Sequence, residues 1–203
     1  ITYHNIDRIF FTHNHPDHMC DLIPFLFGSR YPLDPRKKDL QIVAGPGFQD
    51  FFNKLMLAFK HWLKPTEYQL NILEFDEAVL EFETLKVETK RVKHIAMSRG
   101  YRFTNNKGKS VALSGDTDFC ESMIELGKRS DLMILECAWP DEEKTEGHLG
   151  PTLAAKLAFE ADCKKLCLTH FYPPCNLENI RQTVQKAYKG KLVLASDLMQ
   201  LEL

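Results

Sequence analysis

The sequence predicts an α/β fold, and three observations carry the prediction. Strand-like and helix-like runs alternate at both ends of the chain, a meander of short alternating stretches fills the middle, and the polar motifs recur where strands end.

Asp7–Thr12 (DRIFFT) is β-branched and aromatic, which predicts a buried strand. In the THNHPDH stretch that follows, Pro16 and the Asn-His alternation predict an irregular loop. Met19–Phe27 is apolar enough for a packed helix broken by Gly28, and Asp39–Ala44 reads as a second strand. Gly45-Pro46-Gly47 then turns the chain. Free N–H groups ahead of a helix can receive an anion, but such a turn more often only joins strand to helix, and that plainer reading is favoured. From Phe48 to Leu63 the apolar residues Phe48, Phe51, Phe52, Leu55, Met56 and Phe59 recur at three- and four-residue steps, which predicts one helix. Tyr68–Phe75, Ala78–Phe82, Leu85–Lys90 and Tyr101–Thr104 predict strands, with a hairpin turn at Asn105–Gly108. Ser110–Ser114 predicts a strand running into Gly115-Asp116-Thr117, followed by a helix over Asp118–Lys128 and a buried strand over Asp131–Cys137. The remaining elements are a helix over Thr152–Ala161 after Pro151, a strand over Lys165–Thr169 ending at His170, a helix over Leu177–Tyr188 and a closing strand over Lys191–Ala195.

The chain has 203 residues, 44% of them hydrophobic and 27% charged, with a formal net charge of −2. That is one soluble domain by length, with no overall electrostatic pull toward nucleic acid. The basic runs Arg36-Lys37-Lys38 and Lys90 to Lys93 read as solvated surface. No apolar run approaches the roughly 20 residues of a membrane span, and no secretory leader is recognisable, so the reading is cytoplasmic. The six cysteines, Cys20, Cys120, Cys137, Cys163, Cys167 and Cys175, lack Cys-x-x-Cys spacing and read as reduced core residues.

The chemistry is concentrated in Thr12-His13-Asn14-His15-Pro16-Asp17-His18, where three histidines and an aspartate fall within six residues after a strand. Imidazole nitrogen and carboxylate oxygen suit Zn²⁺, with Mn²⁺ or Fe²⁺ as substitutes. Alternate residues of an extended segment point the same way, so His13 and His15 can share one ion. Asp17 and His18, past the bend at Pro16, can face a second. A lone histidine is more often an ordinary residue than a ligand, and His4 and His61 are left as such.

This H-x-H-x-D-H string resembles the metallo-β-lactamase superfamily, and later motifs extend the resemblance over nearly the whole chain. His94 in VKHIAMSRGYRF, Asp116 in SGDT and His170 in LTHFYP are similar, in that order, to the ribonuclease Z-like branch. The resemblance implies an αββα sandwich of two sheets between outer helices. It implies two divalent metal ions, with His13, His15 and His94 on one, Asp17, His18 and His170 on the other, and Asp116 bridging. Glu136 in ILECAW resembles the branch's buried glutamate, and His148 in EGHLGPT its loop histidine. A glutamate at the end of an apolar strand must be paired or protonated, and pairing it with His148 would orient that imidazole and raise its pKa, as suits a proton donor.

Two bound metals would activate a water and neutralise an anionic transition state. Asp17 would orient or deprotonate the nucleophile, and His148, supported by Glu136, would protonate the leaving oxygen. Only ten residues (TNNKGKSVAL) separate Phe103 from Ser114, where ribonuclease Z usually carries a long transfer-RNA-binding arm. The reading is therefore an armless relative: a two-metal phosphodiesterase acting on a small phosphodiester or short RNA end. Two alternatives stand beside it, a hydrolase of lactones, thioesters or sulfate esters with an apolar pocket from Phe25, Phe27 and Trp62, and a non-catalytic metal-binding interaction module. A second copy of the chain is one partner in view, and no membrane is. Only Ile1–Thr12 precede the first motif, although the superfamily's first sheet normally begins with several strands before it. The expectation is a single domain over residues 1–203 whose N-terminal strands come from the rest of a longer protein or from another chain.

Overall fold

Strand-forming runs pair into two separate sheets, one in each of the two units into which the chain divides, Ile1–Asp76 and Glu77–Leu203. The computed structural model describes residues 2–203.

In the first unit β1 (Arg8–Phe10), β2 (Leu40–Ala44) and β3 (Leu70–Glu74) form a parallel sheet in that order, with Ile9 opposite Ile42 and Ile42 opposite Ile72. Parallel neighbours need crossovers, and helices supply them. Between β1 and β2 lie α1 (Pro16–Met19) and α2 (Leu22–Gly28), and between β2 and β3 lies α3 (Phe48–Phe59). The irregular loop expected after His13 contains α1, because Pro16 occupies a first-turn position where its missing N–H costs no bond. Gly47, at φ 95°, takes the left-handed conformation that starts α3. The single helix expected over Phe48–Leu63 stops at Phe59. Lys60, the residue after it, has φ 53° and ψ −133°, far from α-helical values, and the chain goes on as a 3₁₀ turn over Lys60–Leu63.

Arg36 corrects the reading of its run as solvated surface. It is fully buried, and its guanidinium donates to the carbonyls of Tyr3, Ile6 and Asp39 (2.9 Å for the last).

In the second unit seven strands form one sheet. They are β4 (Ala78–Glu81), β5 (Leu85–Arg91), β6 (Arg99–Asn105), β7 (Ser110–Leu113), β8 (Leu132–Glu136), β9 (Lys165–Thr169) and β10 (Lys191–Leu194), ordered β10-β9-β8-β7-β6-β5-β4. From β4 to β7 the pairing is antiparallel, and from β7 to β10 it is parallel. The β6–β7 turn is short: Asn105 Oδ1 accepts from the N–H groups of Lys107 and Lys109, and Gly108 is left-handed at φ 76°. The parallel part is covered by α4 (Glu121–Gly127), α5 (Pro151–Glu160) and α6 (Leu177–Ala187), whose apolar faces enclose Met133, Leu135, Leu166 and Leu168. Cys120 is extended, so α4 starts three residues later than the expected Asp118. The C-terminal ends of β7, β8 and β9 come level, with Glu136 opposite Thr169, and such ends gather sites in α/β sheets.

All six cysteines are free, but Cys20 is exposed beside α1 and is not a core residue as expected. Among the described residues, no helix is long and apolar enough to cross a membrane.

Candidate metal centre

In the first unit the chain leaves the sheet at Phe11, whose N–H still donates to Val43 O (2.9 Å), and enters the histidine loop directly. His13 is fully buried. Its ring centroid lies 4.6 Å from that of His15 and 4.2 Å from that of His18. Asp17 Oδ2 is 3.3 Å from His18 Nε2. Thr12 Oγ1 lies 3.1 Å from His13 Nδ1, and with Nδ1–H donating to it, Nε2 keeps a lone pair for a metal. Three imidazoles and a carboxylate are thus held within one short segment of this unit.

In the second unit His94, Asp116 and His170 follow the ends of β5, β7 and β9, Glu136 ends β8, and His148 lies in the loop before α5. Asp116, 2% exposed, has Oδ2 3.9 Å from His94 Nε2 and Oδ1 3.6 Å from His170 Nε2. His94 Nδ1 lies 2.9 Å from Gly147 O. A carbonyl only accepts, so Nδ1 carries the proton, and Nε2, on the side of Asp116, is the nitrogen that a metal would take. Two imidazole nitrogens flanking a buried carboxylate are a nitrogen and oxygen donor set that fits a divalent metal. His170 sits at φ 62°, a left-handed conformation uncommon for residues other than glycine, immediately after β9.

Glu136 is 2% exposed, not a strand end open to solvent. Its Oε1 accepts from His148 Nδ1 (2.8 Å) and Thr117 N–H (3.0 Å), and its Oε2 from Ala138 N–H (3.0 Å). The Glu136 carboxylate raises the pKa of His148 above the ordinary histidine value, against the opposing effect of burial. Donor atoms of Asp116, His148 and His170 lie within 4.8 Å of one another.

The sequence reading missed Asp118, Lys144 and Gly147. Asp118, 7% exposed, accepts through Oδ2 from Lys144 Nζ (3.0 Å) and Gly147 N–H (3.2 Å) and through Oδ1 from Phe119 N–H (2.8 Å). Burial acts to raise its pKa, but the Lys144 bond and the two N–H groups prevail and hold it below the ordinary carboxylate value. The only sequence signals were an acid two residues past Asp116 and a glycine directly before His148.

Residues 2–171 match the family model described as a beta-lactamase superfamily domain. The chain belongs to that family. Among relatives of this beta-lactamase superfamily chain, an uncharacterized protein of Mycobacterium tuberculosis is 28% identical over 189 residues, covering 90% of this chain and 68% of its own length. A ribonuclease Z of Brevibacillus brevis is 28% identical over 219 residues, covering 83% of this chain and 69% of its own. A metallo-beta-lactamase fold protein of Bacillus subtilis, YhfI, superposes with a TM-score of 0.82 at 21% identity, covering 97% of this chain and 77% of its own. The short form of human tRNase Z superposes with a TM-score of 0.72 at 23% identity, covering 98% and 80%. The fold is therefore that of the metallo-β-lactamases, and the family match with ribonuclease Z relatives places the chain among metal-dependent hydrolases.

Proposed function

We propose that this chain is a two-metal phosphodiesterase in which His13, His15 and His94 hold one ion and Asp17, His18 and His170 the other, with Asp116 bridging. The assignment of ligands to two ions rests on the family resemblance of the motifs. The observation that carries the proposal is Asp116, a buried carboxylate between His94 Nε2 and His170 Nε2, with His148 held beside them by Glu136. When bound, the metals would supply an activated water and charge neutralisation for an anionic substrate. Zn²⁺ suits the all nitrogen and oxygen donor set, with Mn²⁺ and Fe²⁺ as substitutes.

The chain's own residues have separable tasks in this reading. Asp17 orients the nucleophile and takes its proton. Glu136 raises the pKa of His148, as suits a proton donor, and its Nδ1 is committed to Glu136, so Nε2 would deliver the proton to the leaving oxygen. The ribonuclease Z relative supports a phosphodiester substrate, and the short β6–β7 turn supports a small one or a short RNA end. The site of action in this reading is the cytoplasm.

A second reading, hydrolysis of lactones, thioesters or sulfate esters, is favoured by an apolar cavity of about 450 Å³ in the first unit, lined by Ile23, Pro24, Phe27, Phe59, Trp62 and Leu63. Phe27 and Trp62 line it as expected, whereas Phe25 does not, and none of His13, His15, Asp17 and His18 does either. The ribonuclease Z relative puts the phosphodiester reading first. A panel of bis-p-nitrophenyl phosphate, cyclic nucleotides, a lactone and a thioester, assayed with Zn²⁺ and with Mn²⁺, tests it. Turnover confined to the lactone or thioester would replace it with the second reading.

A further inference from the structure

Within the second unit, three segments that carry site residues meet at one side chain. Asp118 follows the Asp116 turn, and its N–H donates to Lys93 O (2.7 Å), forming an isolated antiparallel bridge to the residue before His94. Thr117 Oγ1 accepts from Lys93 N–H (3.2 Å) on the same side. The Asp118 carboxylate then reaches the loop that carries His148, taking Lys144 Nζ and Gly147 N–H on Oδ2, with Lys93 Nζ 3.8 Å away.

Gly147 is the pivot of this arrangement. Its N–H is held by Asp118, its C=O accepts His94 Nδ1–H, and its peptide leads into His148. Only glycine suits the position: φ is +85°, and an added Cβ would lie 2.9 Å from His94 Nδ1. The loop is closed further by His148 N–H donating to Thr145 O (3.4 Å). Moving Gly147 would therefore disturb two histidines together, the tautomer of one and the main-chain position of the other.

We propose that Asp118 is a positioning residue that sets His94 and His148 at once by clamping the Lys144–Gly147 segment. The proposal rests on the reading of His94 as a metal ligand and His148 as the proton donor. The Asp118 carboxylate bonds to Phe119 N–H, Lys144 Nζ and Gly147 N–H, none of them a proposed metal ligand or proton donor. It acts as the outer partner of an outer partner, because the carbonyl that orients His94 is itself fixed by the carboxylate. Groups of that kind tune ligand affinity, and losing them typically costs about 10- to 100-fold in metal affinity or activity.

Asp118→Ala, Asp118→Asn and Lys144→Met test it in the full chain, with three readouts. These are Zn²⁺ affinity by competition with a chromophoric chelator, kcat and KM on bis-p-nitrophenyl phosphate, and the His94 tautomer from ¹H–¹⁵N imidazole spectra. Asp118→Ala is expected to lose Zn²⁺ affinity and kcat by about 10-fold or more, with KM near that of the unaltered protein, and to lose the fixed Nδ1–H form of His94. Asp118→Asn keeps an oxygen acceptor for Gly147 N–H and is expected to recover most of the affinity and the tautomer. Lys144→Met is expected to show a smaller loss of the same kind. A folded Asp118→Ala protein with unaltered affinity, kcat and tautomer overturns the proposal, whatever its melting temperature. If Asp118→Ala does not fold, unaltered values in Lys144→Met overturn it instead. If the unaltered protein cleaves no phosphodiester, the functional reading fails, while the Zn²⁺ affinity and the His94 tautomer still decide the role of Asp118.

Discussion

His148 Nδ1 donates to Glu136 Oε1 across 2.8 Å, and the same oxygen accepts the Thr117 N–H at 3.0 Å. The glutamate thereby ties the loop histidine to the turn that carries Asp116, and it does so from a fully enclosed strand end. In a hydrolase of this kind His148→Ala is expected to lower turnover by about 100-fold or more, the usual contribution of a placed proton donor. Metal content, measured by elemental analysis, should not change. Loss of metal instead would move His148 into the ligand set, which its distance from Asp116 and His170 makes a real alternative. Glu136→Gln still accepts from Nδ1–H and should give a milder defect. Unaltered rates with a lower melting temperature would make Glu136 purely structural.

Metal stoichiometry separates the ligand assignment from simpler ones. Metal-replete protein is expected to hold two ions per chain, and chelation should abolish turnover until Zn²⁺ or Mn²⁺ is restored. His170→Ala should lower the content toward one ion, and Asp116→Ala should lower it further and remove activity, because the proposed assignment has Asp116 serve both ions. At most one ion in replete protein, unchanged by His170→Ala, would sink the two-metal assignment.

Much of the fold was legible because hydrophobic period and glycine placement dictate it locally. The DLQIVA and KLCLT runs become β2 and β9, and the ten residues between Phe103 and Ser114 close as a hairpin. The histidine loop was legible because its ligand types are dense in sequence. What the sequence did not disclose depends on contacts between distant residues. Arg36 looks like one more surface cation until the carbonyls of Tyr3 and Ile6, some thirty positions away, are seen to surround it. Asp118 looks like a helix start until Lys144 and Gly147 close on it. The break at Lys60 is hidden for a related reason, since apolar spacing alone favours continuing the helix past it.

Arg36 gives a stability prediction. Its three carbonyl acceptors belong to the N-terminal segment and to the turn before β2, and its Cζ lies 5.3 Å from the Tyr68 ring centroid. Arg36→Ala removes a buried guanidinium that joins these three carbonyls, so a loss of about 2–4 kcal/mol is expected in urea unfolding. Arg36→Lys should recover less than half of this, because one ammonium cannot reproduce the planar fork. A change below about 0.5 kcal/mol in Arg36→Ala, the scale of an ordinary surface substitution, would show that the buried guanidinium contributes nothing net.

Asp131 makes acid stability the last test. Its carboxylate accepts from Lys164 Nζ (2.8 Å) and Ser110 N–H (2.9 Å), with Lys109 Nζ at 3.5 Å, so it ties the starts of β7 and β8 to the residue before β9. The Lys164 bond first, and the Ser110 N–H next, lower its pKa to about 2. In the unfolded chain the value is about 3.9. The folded state therefore binds this proton less readily than the unfolded one. The stabilisation is fully present above pH of about 4 and is lost as pH falls through about 2. Its size is about 1–2 kcal/mol after allowance for solvent around the lysines. Asp131→Asn is expected to lower the melting temperature by a few degrees at pH 7 and to flatten its fall between about pH 4 and pH 2. Parallel melting curves for the two proteins across that window, separated by a constant offset, would show that the Asp131 charge is not what the native state uses.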